Sequence, residues 1–321
     1  MTTRTATDRA SAVSVNGLTK RFGHITAVDD LSLNIAMGEI FGFIGPDGAG
    51  KTTLFRMLVT LMVPDVGTAT VLGDDVVRDL WKLRRRVGYM AGRFSLYPDL
   101  SVAENLDFFA SVFGTTVQKE YDRIAPIYTQ IEPFKDRRAG ALSGGMKQKL
   151  ALCCALVHKP EILFLDEPTT GVDAVSRREF WDLLDRLRED ALTIVVSTPY
   201  MDEADRCDRV ALMQGGHVLA IDTPSALTAS FDRPLFAVWT AKRYDGLRAL
   251  RTIVPSGAAY PFGESLHVVG AAGADAAAFA EELASRLREK GIDDVKVSAA
   301  HPTIEDLFIA RMSAAEEPKA A

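Results

Sequence analysis

Three short runs of the chain are apolar on successive positions rather than on every second one: Ile40 to Ile44 (IFGFI), Ile162 to Leu165 (ILFL) and Thr193 to Ser197 (TIVVS). Strands of that kind suit a sheet covered on both faces. Between them the apolar spacing shifts to the helical period, which predicts helices over Lys51 to about Leu61, Val102 to Phe113, Gly145 to Val157 and Ser176 to Asp190. Val13 to Leu18 and Leu31 to Ile35 read as strands of a smaller antiparallel layer. The alternation runs from Val13 to about Leu227, the pattern of a layered α/β domain. A second, α+β unit is expected over residues 231–312. It reads strand (Leu235 to Trp239), helix (Tyr244 to Ile253), strand (Leu266 to Val269), helix (Asp275 to Lys290), strand (Asp294 to Ser298) and short helix (Ile304 to Ala310). Residues 1–12 and 313–321 are expected to lie outside the packed fold.

Composition narrows the class. The chain has 321 residues, 47% hydrophobic and 25% charged, which excludes a disordered or fibrous chain. Its net charge of -6 argues against a dedicated nucleic-acid binder, so no nucleic-acid partner is expected. The uncharged runs are far shorter than the roughly 20 apolar residues of a membrane span. The start, MTTRTATDR, lacks the apolar core of a secretory signal. Of the 3 cysteines, Cys153 and Cys154 are adjacent in an apolar helical stretch and read as buried small hydrophobes, with no disulfide or metal spacing. A cytosolic protein is expected.

Candidate chemistry begins at residues 45–52, GPDGAGKT, which fit the phosphate-loop pattern G-x-x-x-x-G-K-[ST] between a buried strand and a helix. Gly45, Pro46, Asp47, Gly48, Ala49 and Gly50 would turn backbone N–H groups inward around phosphate oxygens, helped by the positive end of the helix dipole. Lys51 would reach the outer phosphates, Thr52 would ligate Mg2+, and Thr53 would sit near the inner phosphate. ILFLDE ends a second buried strand in two carboxylates. Asp166 is suited to hold Mg2+ through its water shell, and Glu167 to orient or activate the attacking water. Between these motifs stands LSGGMKQ, whose Ser143, Gly144 and Gly145 open a helix. A serine N-cap and a glycine turn explain that start locally. They do not explain a second anion-ready helix start in one chain.

The order phosphate loop, LSGGM, LDEPTTGVD resembles the nucleotide-binding subunit of ABC transporters over roughly residues 13–225. LSGGMKQKL, STPYMDEAD and HPTIEDLFI resemble its drug- and polysaccharide-export branch, which includes daunorubicin-resistance-type ATPases. The resemblance implies an ABC-type P-loop NTPase fold: a mixed sheet core, a small antiparallel β layer, a helical subdomain at about 92–157 within a domain of 13–227, and a small C-terminal α+β module. It implies ATP and Mg2+ as cofactors and a head-to-tail dimer, homo- or heteromeric, with a second ABC ATPase domain. In such a dimer Ser143 and Gly145 meet the partner's γ-phosphate, Asp173 sits in the dimer-contacting loop, and Phe22 stacks on adenine. An integral membrane permease is the further implied partner, met by residues 94–100 with Glu104 and Asn105 at the inner face of the membrane.

Two positions depart from that pattern. The family's glutamine, which touches Mg2+, falls on Gly92, and its switch histidine falls on Pro199. The glycine has no side-chain oxygen to offer the metal or the water, and the proline cannot donate to a γ-phosphate. The expectation is a chain that binds Mg·ATP well and hydrolyses it slowly in its own site. The alternatives are a regulatory ATP-binding subunit with little turnover, or a soluble ABC protein acting on the ribosome or DNA. The second fits poorly with one nucleotide domain and a short path from Lys51 to Ser143.

Overall fold

All three apolar runs become strands buried along their whole length, lying side by side in one sheet. The computed structural model of the protein describes residues 10–316 except 93–95, 190, 256, 272 and 274. Phe94, in the segment expected to face a permease, and Asp190 lie outside the described residues. Two compact units divide between Thr223 and Pro224. The first begins with β1 (Ser11–Phe22), β2 (Ile25–Ala36), β3 (Ile40–Ile44), α1 (Lys51–Leu58), β4 (Val66–Val71), β5 (Asp74–Asp75), α2 (Leu80–Leu83) and β6 (Val87–Met90). It continues with α3 (Val102–Val112), α4 (Tyr121–Tyr128), α5 (Gly144–Leu156), β7 (Ile162–Asp166), α6 (Ala174–Glu189), β8 (Thr193–Thr198), β9 (Arg209–Gln214) and β10 (His217–Asp222).

Among the described residues, β2-β1-β4-β5 form an antiparallel sheet and β10-β9-β3-β8-β7-β6 a mixed one. In the mixed sheet β9, β3, β8, β7 and β6 run parallel, and β10 turns back against β9. An edge-to-face chain of rings ties α1 to the strands beneath it: Phe41 to Phe43 at 5.1 Å, Phe43 to Phe55 at 5.8 Å, Phe55 to Phe164 at 5.6 Å. Each such contact contributes roughly 0.5–1.5 kcal/mol beyond area burial. The helix start and the ends of β3 and β7 are thereby held as one body. Helix α1 stops at Leu58, short of Leu61, where Thr60 turns left-handed at φ 66°. β1 already begins at Ser11, so Ser11 and Ala12 belong to the sheet.

The second unit contains α7 (Pro224–Ala229), β11 (Leu235–Trp239), α8 (Arg243–Ile253), β12 (Ala259–Phe262), β13 (Ser265–Val269), α9 (Ala276–Glu289), β14 (Lys296–Ala300) and α10 (Ile304–Glu316). Its antiparallel sheet has the order β12-β13-β11-β14. Phe236, Val238, Leu266 and Val268 on one face meet Leu250 of α8 and Leu283 and Leu287 of α9. Leu227, expected at the end of the first domain, is buried in α7, which packs with α10. Strand β12 escapes the apolar pattern because Pro261 interrupts it, and a proline is tolerated there because β12 is an edge. β14 starts at Lys296, later than Asp294, because the Asp294 carboxylate accepts from the Thr240 hydroxyl at 2.7 Å and Ala241 N–H at 2.8 Å instead.

The cysteines are buried, and burial pushes the thiols of Cys153, Cys154 and Cys207 up. Among the described residues no helix is long and apolar enough to cross a membrane.

Candidate functional site

Strand order assembles the site. β3 lies between β9 and β8, β8 lies against β7, and all four run the same way. The residues after β3, β7 and β8 therefore leave from one edge, the usual ligand-binding edge of a parallel sheet. Register places Ile44 beside Thr198, and Asp166 beside Ser197. The loop of residues 45–50 is wedged between neighbouring backbones. A Cβ at Gly50, which sits at φ 101°, would stand 2.2 Å from the Ala27 carbonyl, and one at Gly45 would stand 2.2 Å from that of Met213. Only glycine fits either place. Gly50 caps α1 without any side-chain bond, so the first-turn N–H groups keep their capacity for an anion. Asp47 and Gly48 are exposed at the loop tip, Pro46, Thr52 and Thr53 are half-buried, and Ala49 is buried.

Lys51 is 3% exposed; its Nζ donates to Gly45 O at 2.7 Å and Pro46 O at 2.9 Å and stands 3.5 Å from Glu167 Oε1. Across from it, Asp166 Oδ1 accepts from the Ser197 hydroxyl at 2.6 Å and the Thr52 hydroxyl at 3.1 Å. Glu167 lies at φ 50°, the left-handed region that costs a non-glycine residue about 1–2 kcal/mol. Its N–H is shared between the carbonyl and hydroxyl oxygens of Ser197, each at 3.0 Å. Tyr89 on β6 borders the same carboxylate; burial and the Asp166 charge push its phenol up to about 12.

A hydroxyl that donates to Asp166 keeps its lone pairs for a cation, so Thr52 and Asp166 suit a hard divalent ion. Among the described residues no three His, Cys, Asp or Glu side chains gather into a metal cluster. One carboxylate and one hydroxyl are the sparse set expected for Mg2+, which keeps waters and takes phosphate oxygens.

Gly92 is also at this edge. A Cβ there would meet the Asp166 carbonyl at 2.8 Å and Glu167 Cβ at 3.5 Å. The missing side chain lets the loop lie directly on the backbone that carries the two carboxylates. Gly92→Gln is therefore expected to cost about 1–3 kcal/mol from overpacking, read in thermal unfolding, unless the loop moves away. Pro199 follows Thr198, whose hydroxyl accepts from Tyr200 N–H at 3.1 Å.

The remaining expected site residues stand elsewhere. Ser143 caps α5 by accepting from Met146 N–H at 3.4 Å, and Ser143 and Gly144 are exposed. Gly145 packs against α6, where a Cβ would approach Ser176 Oγ to 2.7 Å. Asp173 starts α6, accepting from Val175 N–H at 3.1 Å, Ser176 N–H at 3.0 Å and the Ser176 hydroxyl at 2.7 Å. The bonds from Ser176 hold the Asp173 carboxyl below its ordinary range. Asp173 and the buried Gly145 thus meet at Ser176, with the exposed Ser143 two residues before Gly145. Phe22 ends β1 opposite Ile25 with its ring 46% exposed and Lys20 Nζ 5.7 Å from its centre.

Of the segment expected to meet a membrane subunit, Glu104 completes a capping box with Ser101. Asn105 is fully buried and ties Tyr97, Leu100 and Ser101 together by their backbones. Nearby, an open groove of about 860 Å³ is lined by Leu61, Trp81, Tyr89, Phe109, Phe113 and His158 among others. Ser197 and this groove are what sequence reasoning overlooked. A hydroxyl closing an otherwise apolar buried strand was the available signal for the first; nothing local marks the second.

A model of the ABC transporter family matches residues 28–170. YbhF of Escherichia coli (strain K12), a probable multidrug ABC transporter ATP-binding protein, is 42% identical over 221 residues. That match covers 68% of this chain and 38% of YbhF, so the chain spans well under half of that relative. The Nod factor export ATP-binding protein I of Paraburkholderia xenovorans (strain LB400) is 40% identical over 223 residues, covering 68% of this chain and 73% of its own. Among solved structures, the ATP-binding cassette MJ0796, a dimer in a post-hydrolysis state bound to ADP and Pi, superposes with a TM-score of 0.60 at 28% identity. The superposition covers 66% of this chain and 98% of that one.

Proposed function

The chain belongs to the ABC transporter family of ATP-binding proteins, and from that premise we propose that it is the ATP-binding subunit of an exporter, acting with a separate membrane permease. The observation that carries this reading is the division of its chemistry. The Lys51 loop, Asp166 and Glu167 converge on one sheet edge, while the exposed Ser143 start of α5 packs on α6 instead. Each half is unfinished alone and complementary to the other in a second cassette.

In this reading the N–H groups around Gly48 to Thr52 grip the phosphates. Lys51 exchanges loop carbonyls for phosphate oxygens, and the exposed Phe22 ring offers a stacking face to adenine. Thr52 and Asp166 hold Mg2+, which when bound neutralises charge on the transferring phosphoryl group. Glu167 orients the attacking water, with its backbone held by Ser197. Ser143, Gly145 and the neighbouring Asp173 loop close over the nucleotide of a second ABC domain, identical or not. The apolar groove beside Trp81 and Phe113 offers the permease a surface, which puts the chain on the cytoplasmic face of the membrane.

Gly92 and Pro199 remove two polar groups from around the γ-phosphate, and groups of this kind act as a unit. The proposal is therefore tight Mg·ATP binding with slow turnover. A purified chain should hydrolyse ATP weakly, with Glu167→Gln changing that rate no more than about tenfold. Fast Mg-dependent turnover that Glu167→Gln abolishes would refute the altered-site part and leave the family reading intact. A purely regulatory subunit is the second reading, favoured by the same two residues. Adding a second cassette separates them: a regulator raises that cassette's rate while its own bound ATP stays unhydrolysed.

A further inference from the structure

The Ser197 hydroxyl is buried and bonded on both sides, and although Ser197 opens the STPYMDEAD stretch, the sequence reading gave it no role at the site. We infer that Ser197 is a positioning residue for Mg·ATP, setting the Asp166 carboxylate and the Glu167 backbone in register through one hydroxyl. The inference rests on the nucleotide site proposed above and deepens it.

A serine hydroxyl has one proton and two lone pairs. Here the proton goes to Asp166 Oδ1 at 2.6 Å, the short distance of a charge-assisted bond. A lone pair faces the Glu167 N–H at 3.0 Å. Neither bond is free to turn, because Ser197 is 0% exposed on β8, in register with Asp166 on β7. The partner positions are demanding. Glu167 is left-handed at φ 50°, and its carboxylate stands 3.5 Å from Lys51 Nζ, so a small rotation there moves the Glu167 side chain within the phosphate site.

Asp166 Oδ1 has a second donor, Thr52, at 3.1 Å. Thr52 is also the hydroxyl suited to the cation, so it cannot set the Asp166 orientation independently of the ion. Ser197 can, since its buried hydroxyl is held from both sides by protein partners, the Asp166 carboxylate and the Glu167 N–H. With glycine at 92 and proline at 199, no side chain from those positions supplies a second constraint. Such outer partners of metal-holding carboxylates typically govern affinity for the ion.

The test is Mg2+ titration of fluorescent ATP-analogue binding by the full chain. It compares the parent with Ser197→Ala and with the near-isosteric pair Ser197→Thr and Ser197→Val. Thermal unfolding and binding of the analogue in excess EDTA are followed in parallel. Ala and Val variants should need roughly 10-fold more Mg2+ for half-saturation, with metal-free binding unchanged and Thr restoring the parental titration. Equal Mg2+ dependence in the Thr and Val variants overturns the inference, whatever happens to melting temperature, because those two differ only in hydroxyl against methyl. Should Ala fail to fold, the Thr and Val comparison stands alone. A parent that binds no analogue in either buffer overturns the nucleotide reading itself, a result distinct from binding that ignores the hydroxyl.

Discussion

Lys51→Ala is expected to weaken Mg·ATP binding by roughly 100-fold, since it deletes a buried charge placed to make hydrogen bonds to charged phosphate oxygens. Lys51 is 3% exposed and committed to Gly45 O, Pro46 O and the nearby Glu167. Truncation therefore leaves two loop carbonyls and a carboxylate short of a partner, and some loss of stability should accompany the loss of affinity. The two effects separate in one experiment. Equilibrium binding of labelled ATP is measured well below the variant's melting temperature, with folding checked by circular dichroism. A folded Lys51→Ala protein that holds ATP as tightly as the parent contradicts the phosphate-loop assignment, and the proposed transport role falls with it.

The second large effect lies in the C-terminal unit, which carries no motif for catalysis. Asp306 is 0% exposed and accepts four bonds. Oδ1 takes the Tyr260 hydroxyl at 2.8 Å and His267 Nδ1 at 2.6 Å; Oδ2 takes Thr303 N–H at 2.8 Å and the Thr303 hydroxyl at 2.7 Å. Thr303 and Asp306 together cap α10, while Tyr260 and His267 come from β12 and β13, so one carboxylate fastens the last helix to the sheet. His267 is further clamped by Phe262, stacked at 3.9 Å. Asp306→Ala should cost about 3–5 kcal/mol, because it strands several buried partners at once. Hydrogen exchange should rise in β12, β13 and α10 first, and an unchanged pattern would contradict the fastening role.

A pH dependence follows from the same carboxylate. Burial opposes ionisation of Asp306, but bonds from His267, Thr303 and Tyr260 outweigh it and hold the pKa below the ordinary 3.8. A folded pKa below the unfolded one means stabilisation that is complete above the unfolded value. It is lost as pH falls through the depressed folded value. The parent should show an acid unfolding step there that Asp306→Asn lacks.

These two sites differ in how much of them a reader of the sequence can see. The candidate phosphate loop is visible because its pattern is local: glycines, a lysine and a helix start fall within a few residues. HPTIEDLFI is visible as a likeness but not as a device. Its Asp306 acts through Tyr260 and His267, which no spacing rule connects to it. Glu104 and Asn105, expected in the segment that meets a membrane subunit, have a structural use that the resemblance does not reveal: the exposed Glu104 caps α3, and the buried Asn105 holds the 97–101 loop from inside. Strand β12 was hidden by Pro261, since a proline lowers the strand signal everywhere except at an edge, and edges are decided by pairing.

For this chain, sequence alone determined the three buried strands of the mixed sheet, helices α1, α3, α5 and α6 and the candidate phosphate loop, because apolar period, glycine placement and helix capping act over a few residues. The tertiary structure decided which parts meet. Inserting β8 between β3 and β7 brings Ser197 to Asp166, pairing β6 with the other side of β7 lays Gly92 on the Asp166 carbonyl, and the start of α5 packs on α6 instead. Strand order is set by how buried faces pack across the whole sheet, and a linear pattern of apolar residues carries no term for it.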